Sequence, residues 1–281
     1  MDPHDPTRRR LRIGLAGMVG LGAVGGVAWL LADGEENVAA GGTTTSTTLR
    51  PTTVTQAPTT TAEPATTTTT PAADQPTTTS TTADAGLVVP VICREAWGAQ
   101  PAAGPFTEHT IERITVHHTA ALLEDNRLAP GLTQQHQADH QGLGWPDVAY
   151  HYLIDRNGHV YEGRPHTAVG DTRTSYDPPG HLLIAAKGNF EEQERTPTHP
   201  ESLVAMVAWG VSEFDVPPSA ITGHRDWAAT ACPGESLYAT IASGDLAAAV
   251  AEEVEGGPAT LEVACGEDAS QLVAAIEAGS A

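Results

Sequence analysis

The amino-acid sequence predicts a single α/β domain with a mixed central β-sheet flanked by helices, preceded by a transmembrane or signal segment and a disordered linker. Between residues 88 and 254, short alternations of apolar and polar residues, typical of strands, are interspersed with apolar residues at helical spacing. Residues 13–32 contain no charged side chain, and residues 43–84 consist largely of threonine and proline. The chain is therefore expected to have distinct regions, of which one folds.

The N-terminal region is typical of a chain that leaves the cytoplasm. Residues 1–12 form a basic segment with four arginines, which we expect to be cytoplasmic. Residues 13–32 have the length of about 20 residues needed to cross a hydrocarbon core. A retained transmembrane anchor and a cleaved signal peptide both fit, because residues 38–40 form an acceptable small-residue cleavage site. The membrane is therefore a predicted partner of this segment.

Residues 33–87 are predicted to form a disordered Thr/Pro-rich linker. Between residues 43 and 84, half of the 42 residues are threonine and five are proline. Such a composition cannot bury enough apolar surface to offset the entropy lost on ordering. At about 3.1 Å per residue in the polyproline conformation, this stretch could extend over roughly 130 Å.

Residues 88–255 are predicted to form the folded domain, and residues 256–281 a C-terminal tail with a short helix. Alternation and apolar runs predict strands at residues 113–117, 150–155, 159–161 and 182–186. Helical spacing predicts helices between Thr198 and Phe214 and around residues 246–254. Strands and helices that alternate in this way indicate one α/β core.

The charge balance argues against nucleic acid as a partner. The chain has 14 basic and 35 acidic residues, a formal net charge of −21. Contacts to phosphate require clustered basic side chains, and the only such cluster lies in residues 1–12. We therefore expect no binding of nucleic acid by the domain.

Three cysteines are too few for a disulfide scaffold. A bond between Cys93 and Cys265 would tie the two ends of the domain together, as suits an oxidising compartment. Free thiols and an intermolecular bond remain open as alternatives. With either intramolecular or intermolecular pairing, an odd number of cysteines leaves one sulfur for another role.

Two histidines and a cysteine have the spacing and setting of a metal site. His117 ends a predicted strand, and His224 precedes Cys232 by eight residues. Two imidazoles and one thiolate make a three-ligand zinc site whose fourth position is open for water. Hydrogen-bonded core histidines and a buried cysteine are the alternative. A rival pair, His136 and His140, has Gln137 where a metallopeptidase helix needs its glutamate.

Several motifs together resemble one family. The strings ITVHHTA, GWPDVAYHYLIDRNGHVYEGR, KGNFE and ITGHRDWAATACPG, preceded by REAWGA, are similar in order and spacing to zinc-dependent N-acetylmuramoyl-L-alanine amidases of the type 2 amidase and peptidoglycan recognition protein family. The similarity covers about residues 93–254. By resemblance, the zinc ligands are His117, His224 and Cys232. Tyr150 and Thr230 fall on catalytic positions, and His140 on a histidine with a structural role.

The resemblance implies hydrolysis of the amide bond between N-acetylmuramic acid and L-alanine, outside the cytoplasm, either anchored to the membrane or secreted to the cell wall. Peptidoglycan is the implied partner and zinc the implied cofactor. A non-catalytic peptidoglycan-binding module and a membrane-to-wall tether are the alternatives, and the presence of Cys232 and Tyr150 favours the enzyme. The sequence departs from the family pattern at Asp171 and at residues 178–181, which border the substrate groove in relatives.

Overall fold

A computed structural model describes residues 86–281 of the chain. The predicted basic N-terminus at residues 1–12, the anchor or signal segment at 13–32 and all but the end of the linker lie outside these residues. Within residues 86–281, no helix combines the length and the apolar character needed to span a bilayer.

Seven strands form one mixed β-sheet. They are β1 Val88–Ile92, β2 Arg113–His118, β3 Tyr152–Ile154, β4 Val160–Glu162, β5 His181–Ala186, β6 Ile221–Gly223 and β7 Thr260–Ala264, in the spatial order β6-β2-β5-β3-β4-β1-β7. The β3–β4 pair is antiparallel and the other pairs are parallel. Every residue of β5 is buried, as expected for an apolar strand covered on both faces.

Five helices flank the sheet. They are α1 Ala129–Gly142, α2 Thr198–Phe214, α3 Glu235–Ala242, α4 Asp245–Glu255 and α5 Gly266–Ala278, with short 3-10 helices at Asn126–Leu128, Pro218–Ala220 and His224–Asp226. Helix α2 packs on one sheet face with α4 outside it, and residues of α1 and α5 pack on the opposite face. The predicted α/β domain with a mixed central sheet flanked by helices is confirmed.

The face beneath α2 is an apolar core. Its members include Ile114, Val116, Leu182 and Ile184 from the sheet and Leu203, Met206 and Val207 from the helix. Each such side chain contributes roughly 1.5–3 kcal/mol when fully buried. Gly210 lets the helix approach closely, because a Cβ at this position would lie 2.7 Å from a methyl group of Leu182.

The opposite face is divided between packing and polar chemistry. Over β3 and β4 it is covered by α5, where Val273 and Ile276 pack with Leu153 and Tyr161. Because successive side chains of a strand point to opposite faces, Thr115 and His117 of β2 lie on this side. This polar part of the sheet holds the candidate site.

The C-terminal residues join the same sheet. Strand β7 pairs in parallel with β1 from Val88 opposite Thr260 to Ile92 opposite Ala264. A disulfide joins Cys93 to Cys265 immediately after the two strands, with their Cα atoms 5.4 Å apart, which confirms the predicted pairing. Within the predicted C-terminal tail the structure has helix α5 and also strand β7, which was not predicted.

Candidate metal centre

Two neighbouring parallel strands bring the histidines together. Strands β2 and β6 are in register with Val116 opposite Gly223, so that the next residues, His117 and His224, emerge side by side. The centroids of their rings are 4.5 Å apart. The Asp226 carboxylate accepts the backbone N–H of Gly223 at 2.7 Å and fixes the 3-10 turn that carries His224.

The cysteine reaches the same point from a loop. The backbone N–H of Arg225 donates to the carbonyl oxygen of Cys232 at 3.0 Å, which folds the loop back on the turn. The Sγ atom of Cys232 lies 3.6 Å from Nδ1 of His117 and accepts a hydrogen bond from the backbone N–H of His118 at 3.3 Å. One ligand atom from each of His117, His224 and Cys232 lies within 4.8 Å of the others. The structure thus brings the three predicted ligands together.

Hydroxyl groups contact Nε2 of each imidazole. The Tyr176 hydroxyl is 3.3 Å from Nε2 of His117, and the Thr174 hydroxyl is 2.7 Å from Nε2 of His224. Contacts of this kind orient histidines that bind metals through the other nitrogen. Neither Thr174 nor Tyr176 was predicted as a site residue, because their only signal in the sequence is the concentration of hydroxyl side chains in residues 172–176.

Burial sets the protonation of these groups. It lowers the pKa of His224 to about 4 and that of His117 well below 6.5, so both rings are neutral at pH 7. Neutral imidazole is the form that binds metal ions. Burial also raises the pKa of the Cys232 thiol to about 12. A divalent cation at this point would supply the positive charge that stabilises the thiolate.

The donor set fits zinc. Imidazole nitrogen and thiolate sulfur are ligands that zinc prefers, whereas calcium and magnesium require oxygen. All three side chains are buried, so the site is shielded from bulk water. The three residues could therefore hold a metal ion, and their chemistry suits zinc.

Tyr150 lies beside the centre. It precedes β3, is half-buried, and its ring centroid is 5.3 Å from that of His117. Its hydroxyl donates to the carbonyl oxygen of His118 at 3.4 Å. Burial raises the pKa of Tyr150, which keeps this hydroxyl protonated at neutral pH. The group is therefore available as a hydrogen-bond donor next to the metal ligands.

The remaining predicted positions have supporting contacts. The Thr230 hydroxyl accepts the backbone N–H of Cys232 at 3.2 Å and so holds the loop of the cysteine. Nδ1 of His140 accepts the backbone N–H of Ala149 at 3.0 Å, next to Tyr150. Within residues 86–281, neither His136 nor His140 belongs to a group of three metal-ligating side chains. His140 thus supports the segment that carries Tyr150.

Comparisons with known proteins agree on one family. A family model described as N-acetylmuramoyl-L-alanine amidase matches residues 107–235, which include all three clustered side chains. Peptidoglycan-recognition protein SD of Drosophila melanogaster is 32% identical over 158 residues, covering 54% of this chain and 84% of that protein.

Two solved structures extend these similarities. The crystal structure of Drosophila peptidoglycan recognition protein SD has a TM-score of 0.50 at 31% identity, with 54% of this chain and 93% of that one covered. Peptidoglycan recognition protein LE, solved in complex with tracheal cytotoxin, a monomeric diaminopimelic acid-type peptidoglycan, has a TM-score of 0.50 at 26% identity, with 54% and 92% covered.

Proposed function

Since the chain belongs to the family of N-acetylmuramoyl-L-alanine amidases and peptidoglycan recognition proteins, we propose that it is a zinc-dependent hydrolase of the amide bond between N-acetylmuramic acid and L-alanine in peptidoglycan. The observation that carries this proposal is the buried cluster of His117, His224 and Cys232 with a tyrosine hydroxyl beside it. A binding module needs a groove, but it does not need a shielded set of metal ligands.

In this proposal, zinc is held by the two imidazoles and the thiolate. The Thr174 hydroxyl orients the His224 ring, and the Tyr176 hydroxyl orients the His117 ring, each through a contact with Nε2. When bound, zinc lowers the pKa of a coordinated water and polarises a carbonyl oxygen as a Lewis acid. Three protein ligands suit this chemistry, because structural zinc sites are normally closed by four.

Tyr150 and Thr230 are the proposed catalytic residues. Hydrolysis adds water across the amide, so the lactyl carbonyl becomes a carboxylate and alanine gains a free amino group. The protonated Tyr150 hydroxyl, held by one long hydrogen bond to a carbonyl oxygen, can turn to donate to the oxygen of the reacting carbonyl. Either this hydroxyl or a chain of water molecules can supply the proton to the departing nitrogen, and the attacking water returns that proton. The Thr230 hydroxyl oxygen accepts a hydrogen bond from the backbone N–H of Cys232, and its O–H can donate a hydrogen bond to a substrate or water oxygen.

A peptidoglycan-binding module without activity is the second candidate function. The relative named above as peptidoglycan-recognition protein SD and the LE protein solved with a peptidoglycan fragment favour recognition of this polymer. The same likeness extends the proposal to peptidoglycan as the partner. A binding module and a hydrolase would both bind peptidoglycan, so binding and cleavage have to be measured separately.

The location proposed for the domain is outside the cytoplasm. The Cys93–Cys265 disulfide suits an oxidising compartment. We propose that residues 13–32 act as the membrane anchor or signal segment and residues 33–87 as the linker to the domain at 88–255. The tail at 256–281 completes the sheet of this domain.

The direct test is to incubate the full chain with purified peptidoglycan and to quantify new L-alanine amino termini. We expect release with zinc, loss after chelation, and recovery when zinc is added back. The matched control is Cys232→Ala, which removes one ligand from a buried position. Wall binding without new amino termini would reject the enzyme in favour of the module, and wall binding that is independent of zinc would favour the tether.

A further inference from the structure

A row of rings leads from the metal centre to the surface. The ring centroids of His224 and Tyr176 are 5.1 Å apart, as are those of Tyr176 and His181, and His181 lies 4.9 Å from Trp227. Tyr176 and His181 are buried, whereas Trp227 is 41% exposed. The row therefore ends in a large aromatic side chain that faces solvent.

Trp227 is held in a fixed orientation. Its indole N–H donates to the Thr222 hydroxyl at 2.9 Å, the Arg113 guanidinium lies over the ring at 5.3 Å, and the His181 ring meets it edge-on. Thr222 also contacts the Thr115 hydroxyl, so the indole lies on the sheet face that carries His117. A rigid aromatic ring that remains exposed is a common anchor in binding sites.

The polar groups around the indole carry balanced charge. Arg113 donates to the Glu112 carboxylate at 2.9 Å and lies 3.4 Å from Nε2 of His181. Glu112 has 63% of its side chain exposed, so its carboxylate can accept further hydrogen bonds. An unpaired arginine would favour an anionic peptide stem. A neutral patch with a flat apolar ring, donors and acceptors instead matches a sugar, which has an apolar C–H face and a rim of hydroxyl groups.

We propose that Trp227, with Arg113 over one face of its ring and Glu112 paired with that arginine, is a saccharide subsite that binds the glycan strand beyond the muramic acid at the metal centre. This inference rests on the proposed function, in which the cleaved amide joins a sugar to a peptide, so that substrate extends from the metal in two directions. The buried rings of Tyr176 and His181 fix the position of the indole relative to His224 at the metal centre. The sugar bound there stacks on the face of the indole opposite Arg113 and exchanges hydrogen bonds with the Arg113–Glu112 pair at the edge of the ring.

The kinetic test compares a tetrasaccharide-peptide with an N-acetylmuramoyl-peptide as substrates of the full chain. Trp227→Ala is expected to lower the ratio of kcat/KM for the long over the short substrate by about tenfold, the loss typical of truncating one aromatic anchor. Trp227→Phe, which keeps an aromatic face, should retain most of the ratio. The matched control is Val263→Ala, which shortens a half-exposed side chain on the opposite edge strand and should leave both substrates unaffected.

A binding test separates this subsite from catalysis. Equilibrium dialysis of a radiolabelled, peptide-free GlcNAc–MurNAc tetrasaccharide is performed with the full chain in the presence of a chelator. We expect binding by the wild type and by Val263→Ala, with about tenfold weaker binding by Trp227→Ala. If the wild type binds in this way but releases no amino termini, the hydrolase proposal fails and the subsite stands. Equal binding by Trp227→Ala, or a defect confined to the peptide part of the substrate, would overturn the subsite.

Discussion

Strand β2 has two faces that serve different purposes. Ile114 and Val116 point into the apolar core beneath α2, while Thr115 and His117, which alternate with them, point to the polar side. One face supplies stability and the other supplies a metal ligand. A period of two residues thus lets one short strand hold a functional side chain rigidly while its other face packs in the core. Mutations on the polar face should therefore reduce activity, and mutations on the apolar face should reduce stability.

The largest effect is expected from Cys232→Ala on the polar face. Loss of the thiolate should reduce amide hydrolysis at least about 1,000-fold, because a catalytic metal supplies several kcal/mol of transition-state stabilisation. Thermal unfolding of the metal-free proteins is the control, and the two should unfold within a few degrees of each other. Substantial hydrolysis by this variant would show that the metal site is not the site of reaction.

Leu203→Ala on the apolar face is expected to lower stability and to leave activity unchanged. This α2 side chain is almost fully buried, so its truncation should lower the free energy of unfolding by about 2–5 kcal/mol. Denaturant titration measures the change. Activity per folded molecule should stay near that of the wild type, and a proportionate loss of kcat at full folding would contradict the separation of the faces.

Within the polar face, Tyr150→Phe tests the hydroxyl independently of the metal. Turnover should fall about 100-fold, the loss typical of a single proton-transfer or oxyanion contact. Metal content, measured by mass spectrometry, should be unchanged because the tyrosine is not a proposed ligand. Equal turnover would remove Tyr150 from the mechanism.

The smallest effect is expected from Lys187, on the pH dependence of stability. Its side chain packs against helix α1. The ammonium donates to the Thr133 hydroxyl at 2.6 Å, and burial lowers the pKa of Lys187 to about 7 from 10.5. Above pH 7 the unfolded chain keeps a proton that the folded chain releases, so this residue makes stability rise with pH. Between about pH 7 and 8.5 the wild type should gain about 1–2 kcal/mol relative to Lys187→Met. If the free energies of unfolding of the wild type and of Lys187→Met change with pH in parallel, Lys187 does not have the lowered pKa.

The elements with clear periodicity could be predicted from the sequence. Strands β2, β4 and β5 and helices α2 and α4 lie where alternation or helical spacing placed them, although the strand expected at residues 150–155 is confined to Tyr152–Ile154. Strand β6 has only three residues, and β7 is exposed at most positions on the sheet edge. A strand this short, or this exposed, shows no alternation of apolar and polar residues by which it could be predicted. Both segments are strands because β6 pairs with β2 and β7 pairs with β1.

The candidate site shows the same limit. His117, His224 and Cys232 could be selected because motif spacing and family resemblance marked them. Thr174 and Tyr176 could not, since they lie in the loop before β5, between the two places, Asp171 and residues 178–181, at which the sequence departs from the family pattern. Their positions depend on how that loop folds over the two histidines, and a local sequence carries little information about such long-range contacts.

The proposed activity depends on a catalytic zinc ion bound by two imidazoles and one thiolate. Zinc-edge X-ray absorption spectroscopy of the full chain, purified without chelators, tests it most directly. We expect one zinc per chain, with one sulfur neighbour, two imidazole nitrogens and a light atom from solvent. A chain that contains no zinc, or a zinc ion with four protein donors, would contradict it.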